Sequence, residues 1–144
     1  MSEAADACNT LFEYLRQVIY SPDGAHLDIG LLPPEFRELG EGLSYLAECH
    51  EEERTFALAL AKGDFDAQPP GRENALAGPL KTLHNSLKHL TWQTQQVAKG
   101  DYGQRLDFMG DFAAAFNTMV RQLEERKEAM ERNAEELRSI AFHD

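Results

Sequence analysis

Two cysteines, one tryptophan and no long apolar run set the first limits on this chain of 144 residues. Cys8 and Cys49 have neither metal-ligand spacing nor the numbers for a disulfide framework, which suits a reducing cytosol. The longest apolar stretch is FALALA at residues 56–61, whereas a membrane helix needs about twenty such residues. The opening MSEAADACNT is acidic and polar, without the basic-then-apolar order of a signal peptide. Basic residues are scarce: 14 Lys and Arg against 25 Asp and Glu give a net charge of −11. That charge repels nucleic acid and anionic membrane surfaces, so neither is expected as a partner. Period-two alternation, the mark of strands, is nearly missing. The expectation is a cytoplasmic, all-α chain of one domain or of a few small stacked units.

What is present is a heptad rhythm. Leu76, Leu80, Leu83, Leu87, Leu90, Thr94 and Val97 are spaced by alternating steps of 4 and 3. Phe112, Phe116, Met119, Leu123, Arg126, Met130, Asn133, Leu137 and Ile140 keep the same steps, as do Phe36, Leu39, Leu43, Leu46, His50, Glu53, Ala57 and Leu60 with polar interruptions. Such seams belong to helices packed nearly parallel. Pro33-Pro34 can open a helix and Gly63 and Gly100 can close one. The spacing predicts helices near 4–20, 34–62, 75–98 and 111–143. The loop SPDGAHLDIGLLP at 21–33 is expected to pack Leu27, Ile29, Leu31 and Leu32 onto the helices.

An internal repeat organises this pattern. ALAKGDF at 59–65 returns as QVAKGDY at 96–102, so helix, Gly-Asp-aromatic, turn-rich connector and helix occur twice. The middle helix closes one unit and opens the next. A single seam of a short helix pair cannot bury itself, and two chains side by side supply four helices around one core. A parallel homodimer is the economical expectation.

The second repeat resembles a HAMP domain, the parallel, dimeric four-helix relay of bacterial receptors. The residues that carry the resemblance are Gly100-Asp101-Tyr102, Arg105-Leu106, Phe108, Gly110-Asp111-Phe112 and Phe116-Asn117-Thr118-Met119, in the family's order. Pro79 resembles the proline at the head of the first HAMP helix, about a heptad further from Gly-Asp than is usual. Gly63-Asp64-Phe65 marks a divergent HAMP-like unit without Phe-Asn-x-Met. The implied organisation is an N-terminal helix and loop at 1–33 and a divergent unit at 34–90. A second unit follows at 76–123, sharing the helix 75–98, and a coiled-coil signalling helix at 124–144. LRSIAFHD, residues 137–144, resembles the lead-in to a GGDEF diguanylate cyclase domain, with Asp144 as the first residue of its Asp-x-Leu-Thr motif. That resemblance implies an output domain absent from these residues, which would use GTP and Mg to make cyclic di-GMP. The rival readings are a sensor segment of a histidine kinase, with His143-Asp144 beginning its motif, and a passive dimerisation scaffold. No catalytic residue and no cofactor is expected in this segment. A homodimer, and an unidentified small ligand or upstream protein, are the expected partners.

Candidate chemical sites are few. His84 and His89 sit five positions apart, roughly 140° around a helix, where a metal pair needs a spacing of three or four. They are read as solvated or connector-facing flanks, with metal ligation only a weak alternative. Cys49, His50 and Glu53 are ligand or switch candidates, because a polar layer in a seam either fixes register or titrates near neutral pH and accepts a small ligand. No haem motif accompanies His50. Arg121 with Glu125 and Glu128 with Arg132 are expected as helical ion pairs. Trp92, outside the seam, is read as packing on a connector. No phosphate-cradling loop or Ser-His-Asp set is present.

Overall fold

The computed structural model describes residues 2–142. Four α-helices make up most of them: α1 Glu3–Tyr20, α2 Pro34–Ala61, α3 Gly78–Ala98 and α4 Gly110–Ala141. Two short 3-10 turns lie between α1 and α2, and there is no strand among the described residues. The fold is all-α. Among the described residues no helix is long and apolar enough to cross a membrane. His143 and Asp144, the residues invoked for an output motif, lie outside the described residues.

Local chemistry sets the helix ends. The Ser2 hydroxyl accepts from the Ala5 N–H at 3.2 Å, and Glu3 and Asp6 place negative charge at the positive end of α1. Pro34 begins α2, where its missing N–H has no intrahelical partner to lose. The third helix starts at Gly78 rather than at 75. The Ala75 N–H donates to the Tyr45 hydroxyl and the Leu76 N–H to the Asn74 side chain, so side chains have taken the donors that a helix would use. Leu76 therefore precedes the helix, outside its seam. The fourth helix opens on two left-handed residues, its cap Met109 at φ 70° and its first residue Gly110 at φ 47°.

The chain divides into two compact units, Met1–Lys81 and Thr82–Asp144. In the first, Ala7, Leu11 and Tyr14 of α1 bury themselves with Leu27 and Leu32 of the 21–33 connector, against Phe36, Leu43 and Ala47 of α2. Gly40 lets that connector approach: a Cβ there would lie 2.7 Å from the Leu32 side chain and 3.1 Å from Ile29. Leu31 departs from expectation at 83% exposed, because it lies in the 3-10 turn Ile29–Leu31 and its neighbour Leu32 takes the inward place. In the second unit the core is Val97, Leu106, Ala113, Phe116 and Val120, with Leu90, Tyr102, Phe108 and Leu123 around it.

Candidate functional site

The Gly-Asp-aromatic repeat is one hydrogen-bonded device used twice. At the end of α2 the Gly63 N–H donates to the Leu60 carbonyl and the Asp64 N–H to Ala59, both at 3.0 Å. At the end of α3 the Gly100 N–H donates to Val97 at 2.9 Å and the Asp101 N–H to Gln96 at 3.0 Å. This paired pattern is the Schellman cap, which requires a left-handed residue. Gly63 at φ 82° and Gly100 at φ 100° supply it. Each aspartate then folds the next turn, since Asp64 Oδ1 accepts from the Asp66 N–H and Asp101 Oδ1 from the Gly103 N–H. The aromatic residue follows where the chain reverses, and Phe65 and Tyr102 are both partly buried.

After the reversal each connector runs back along the helix it has left. In the third connector, 99–109, Tyr102 lies under the Lys127 ammonium, Arg105 pairs with Glu124 and Leu106 bonds to Asn117. Advancing connector residues thus meet earlier and earlier positions of α4. The same holds along α3: the Gln93 side chain donates to the Arg105 carbonyl at 2.8 Å, and His89 packs on the Phe108 ring at 5.5 Å. A connector antiparallel to both helices means that α3 and α4 run parallel. The second connector, 62–77, also doubles back. Residues 67–70 lie over Thr55, Phe56 and Ala59, while Glu73 and Ala75 bond to Tyr45.

Side chains clamp the connectors in place. Asn117 accepts from the Leu106 N–H at 2.7 Å and donates to the Leu106 carbonyl at 2.9 Å, so its amide pairs with the backbone as a strand neighbour would. Tyr45 does the equivalent on the second connector, accepting from Ala75 and donating to Glu73. Asn74, itself buried, donates to the Cys49 carbonyl at 3.1 Å. Tyr45, Asn74 and Gln93 were not singled out from sequence. Only Asn74 carries a readable signal, as a turn-forming amide just ahead of a helix.

The seam residues divide into two stripes. On α4, Ala113, Phe116, Val120 and Leu123 face α3 and the connector. Phe112 and Met119, one position before Ala113 and Val120, are 48% and 44% exposed and form a second stripe. On α3, Leu90 and Val97 turn to the inner face while Leu83 is exposed and Leu80 and Leu87 are half-buried. Beyond Leu123 the inner stripe ends. Arg126, Met130, Asn133, Leu137 and Ile140 are all exposed.

The polar candidates separate. Cys49 is 2% exposed, whereas the next residue, His50, is exposed and Glu53 is half-buried with Oε1 lacking a partner. His84 is buried, not solvated. His89 is exposed, with its ring against Trp92 and Phe108. Trp92 reaches the connector through His89. The ion pairs among the described residues are Glu13–Arg16 and Arg105–Glu124. Arg121, Glu125, Glu128 and Arg132 are exposed without forming the expected pairs, since an exposed pair gains little against the entropy of holding two long side chains. No group of three or more His, Cys, Asp or Glu among the described residues is placed to hold a metal. What this geometry can do is pack, slide and turn.

Residues 80–125 match the HAMP domain family. No curated protein and no solved structure matches the chain. The match takes in α3 from Leu80, the clamped third connector and α4 to Glu125, which makes this a HAMP-containing signalling region with a signal-relaying regulatory role. It begins after Gly63-Asp64-Phe65 and Pro79.

Proposed function

We propose that this HAMP-containing chain is the dimeric, cytoplasmic regulatory region of a diguanylate cyclase. A second copy would complete a parallel four-helix bundle, and α4 would carry the bundle's state into the attached output domain. The observation that supports this most is the outer stripe. Leu83, Phe112 and Met119 are exposed in a single chain, and further along α4 Met130 and Leu137, in the register of Phe116 and Leu123, and Ile140, in the register of Phe112 and Met119, are exposed as well. A helix segment with no partner is marginal in water, and a twin in register would cover it.

A mechanism follows from pairing. Each cyclase domain holds one GTP, so two must face each other before cyclic di-GMP can form. The α4 pair would set their spacing and rotation. Arg126 and Asn133 put polar groups into the seam, which weakens those layers and brings alternative packings within a few kcal/mol of each other. An upstream ligand or partner acting on the N-terminal unit then needs only a modest differential affinity to shift the balance. The resemblance of residues 137–144 to a cyclase lead-in supports the output assignment.

The test uses the protein with its output domain attached. Inserting four residues after Glu131 breaks the heptad phase and should change basal cyclic di-GMP synthesis; inserting seven restores the phase and should largely restore activity. Equal behaviour of the two insertions makes α4 a tether and refutes the relay. Absence of cyclic di-GMP from GTP, with phosphate transfer from ATP instead, removes the cyclase.

A further inference from the structure

The connector that follows Gly63-Asp64-Phe65 covers a cavity with no part in the relay itself. It lies within the first unit, between α2 and residues 67–73, and holds about 520 Å³, inside the range of small-molecule sites. Its two ends differ in character. At one end Glu51 and Glu52 of α2 line it together with Glu73 of the connector. Glu73 belongs to this end because its carbonyl accepts from Tyr45, while its neighbour Asn74 donates to the Cys49 carbonyl and to Glu52 Oε2. At the other end, roughly one to two helical turns on, the lining is Phe56 and Ala59 of α2 with Pro69 and Pro70.

Every charged group in that lining is a carboxylate. No Lys, Arg or His among the described residues lines the cavity, and none of its glutamates has an ion pair. The Lys81 ammonium, which reaches the same connector, bonds to the Gly71 carbonyl at 3.2 Å. The Glu73 carboxylate is laid across Gly71, where a Cβ would collide with it. One oxygen of Glu51, Oε2, is shut from solvent without a donor, a costly state for a carboxylate that turning toward a cationic donor relieves. A cleft lined by charge of one sign draws the opposite charge. The carboxylates do not converge as a metal ion requires, and the apolar end calls for a body that a bare ion lacks. A lysine side chain of another protein would bring only a narrow stem and leave most of the volume empty.

We infer that this cavity binds a small primary amine, with its ammonium among Glu51, Glu52 and Glu73 and a compact, ring-sized apolar body against Phe56, Ala59 and the two prolines. The segregation of charge to one end favours a single-headed ligand over a linear polyamine, whose charges are spread along its length. An ammonium brings three donors, which the carboxylate end can take up together. Bound there, the amine ties the second connector to α2, and that connector leads directly into α3. Naming the amine as the input of the relay rests on the reading above; the binding itself does not.

The probe is phenethylamine, titrated calorimetrically into the 144-residue chain in an amine-free buffer, with phenethyl alcohol as its neutral counterpart. The amine should bind once per chain and the alcohol roughly tenfold more weakly or worse, since it forgoes the charge-assisted bonds. Glu51→Gln/Glu73→Gln should weaken the amine by roughly tenfold or more. Gly71→Ala keeps every charge, pushes the Glu73 carboxylate aside and should weaken it too. Glu125→Gln/Glu128→Gln, exposed on α4, removes as much charge far from the lining in sequence and should leave the affinity within about twofold. Thermal melts check that each variant folds; Thr55→Trp, at an exposed position of the lining, fills the cavity and should abolish binding where a glutamine variant does not fold. Equal affinity for amine and alcohol overturns the ammonium assignment. Equal weakening by the α4 pair reduces the binding to general attraction by an acidic chain and overturns the site, as does the lack of saturable binding below about 10 mM. In the protein with its output domain, an amine that binds but leaves cyclic di-GMP synthesis unchanged keeps the site and removes its role as input.

Discussion

Replacing Asn117 by alanine removes both bonds that hold the third connector at Leu106. The lost contacts are an acceptor at 2.7 Å and a donor at 2.9 Å, and Leu106 itself is buried. Its N–H and carbonyl would be left without partners, at roughly 1–3 kcal/mol for each group sealed from water. Asn117 is half-buried, so water can partly repair the loss, and a total of about 2–3 kcal/mol is expected. Asn117→Asp keeps the acceptor but sets a carboxylate oxygen against the Leu106 carbonyl, so it should cost at least as much. Thr118→Ala, next door and exposed, should stay within about 0.5 kcal/mol of the parent. Urea unfolding followed by far-ultraviolet circular dichroism measures all three, at one protein concentration because a dimer's stability depends on it. If Asn117→Ala unfolds with the parent's midpoint and slope, the amide clamp does not hold the connector and its role as assigned is wrong.

Gly40 and Gly42 should respond in opposite directions. Alanine at 40 meets Leu32 at 2.7 Å and should cost about 1–3 kcal/mol, whereas at 42 it meets nothing within 4 Å and should stabilise the helix by about 0.5–1 kcal/mol; thermal melts that rank them the other way contradict the connector packing. Gly100→Ala, in open space but at φ 100°, should lose about 1–2 kcal/mol from backbone strain alone, and Gly63→Ala should follow it; an unchanged melting temperature in both denies the shared cap. Phe108→Ala should cost about 2 kcal/mol, below the range for a fully buried ring, and shift the emission of Trp92, which reaches the connector through His89. Light scattering of the purified chain should give twice 16.2 kDa; a stable monomer removes the bundle.

The helices were legible because their signals are local and periodic: proline openings, glycine endings and steps of 3 and 4. The Gly-Asp-aromatic repeat was legible as a repeat, and its physical reason, a Schellman cap followed by an aspartate turn, emerges only from the backbone bonds. The clamps were hidden. Nothing about Tyr45 or Gln93 in the chain announces a partner 28 or 12 residues away. The inner and outer stripes were merged into one seam because they lie a single residue apart, and periodicity cannot assign a residue to one of two adjacent faces. That is also why His84, off the leucine register, was read as solvated although it is buried. The start of α3 was misplaced because the competing donors' partners, Tyr45 and Asn74, act through side chains.

The third connector has one mechanical consequence, set by its length. From Tyr102 to Gly110 the backbone can reach about 26–29 Å when extended. Tyr102 lies beside Leu123 and Lys127, so the strip of α4 it must run back along, to Gly110, is roughly 20–26 Å long at 1.5 Å per residue. The strap is close to taut. Sliding α4 toward its own N-terminus relative to α3 would stretch it, while sliding the other way lets it slacken, and turning α4 about its axis hardly changes its length. The connector thus behaves as a stop rather than a spring: it limits axial travel in one direction and leaves rotation free. Deleting two residues from it would remove about 7 Å of reach, more than the 5.4 Å of one helical turn, and α4 would have to climb by a comparable step for the chain to close.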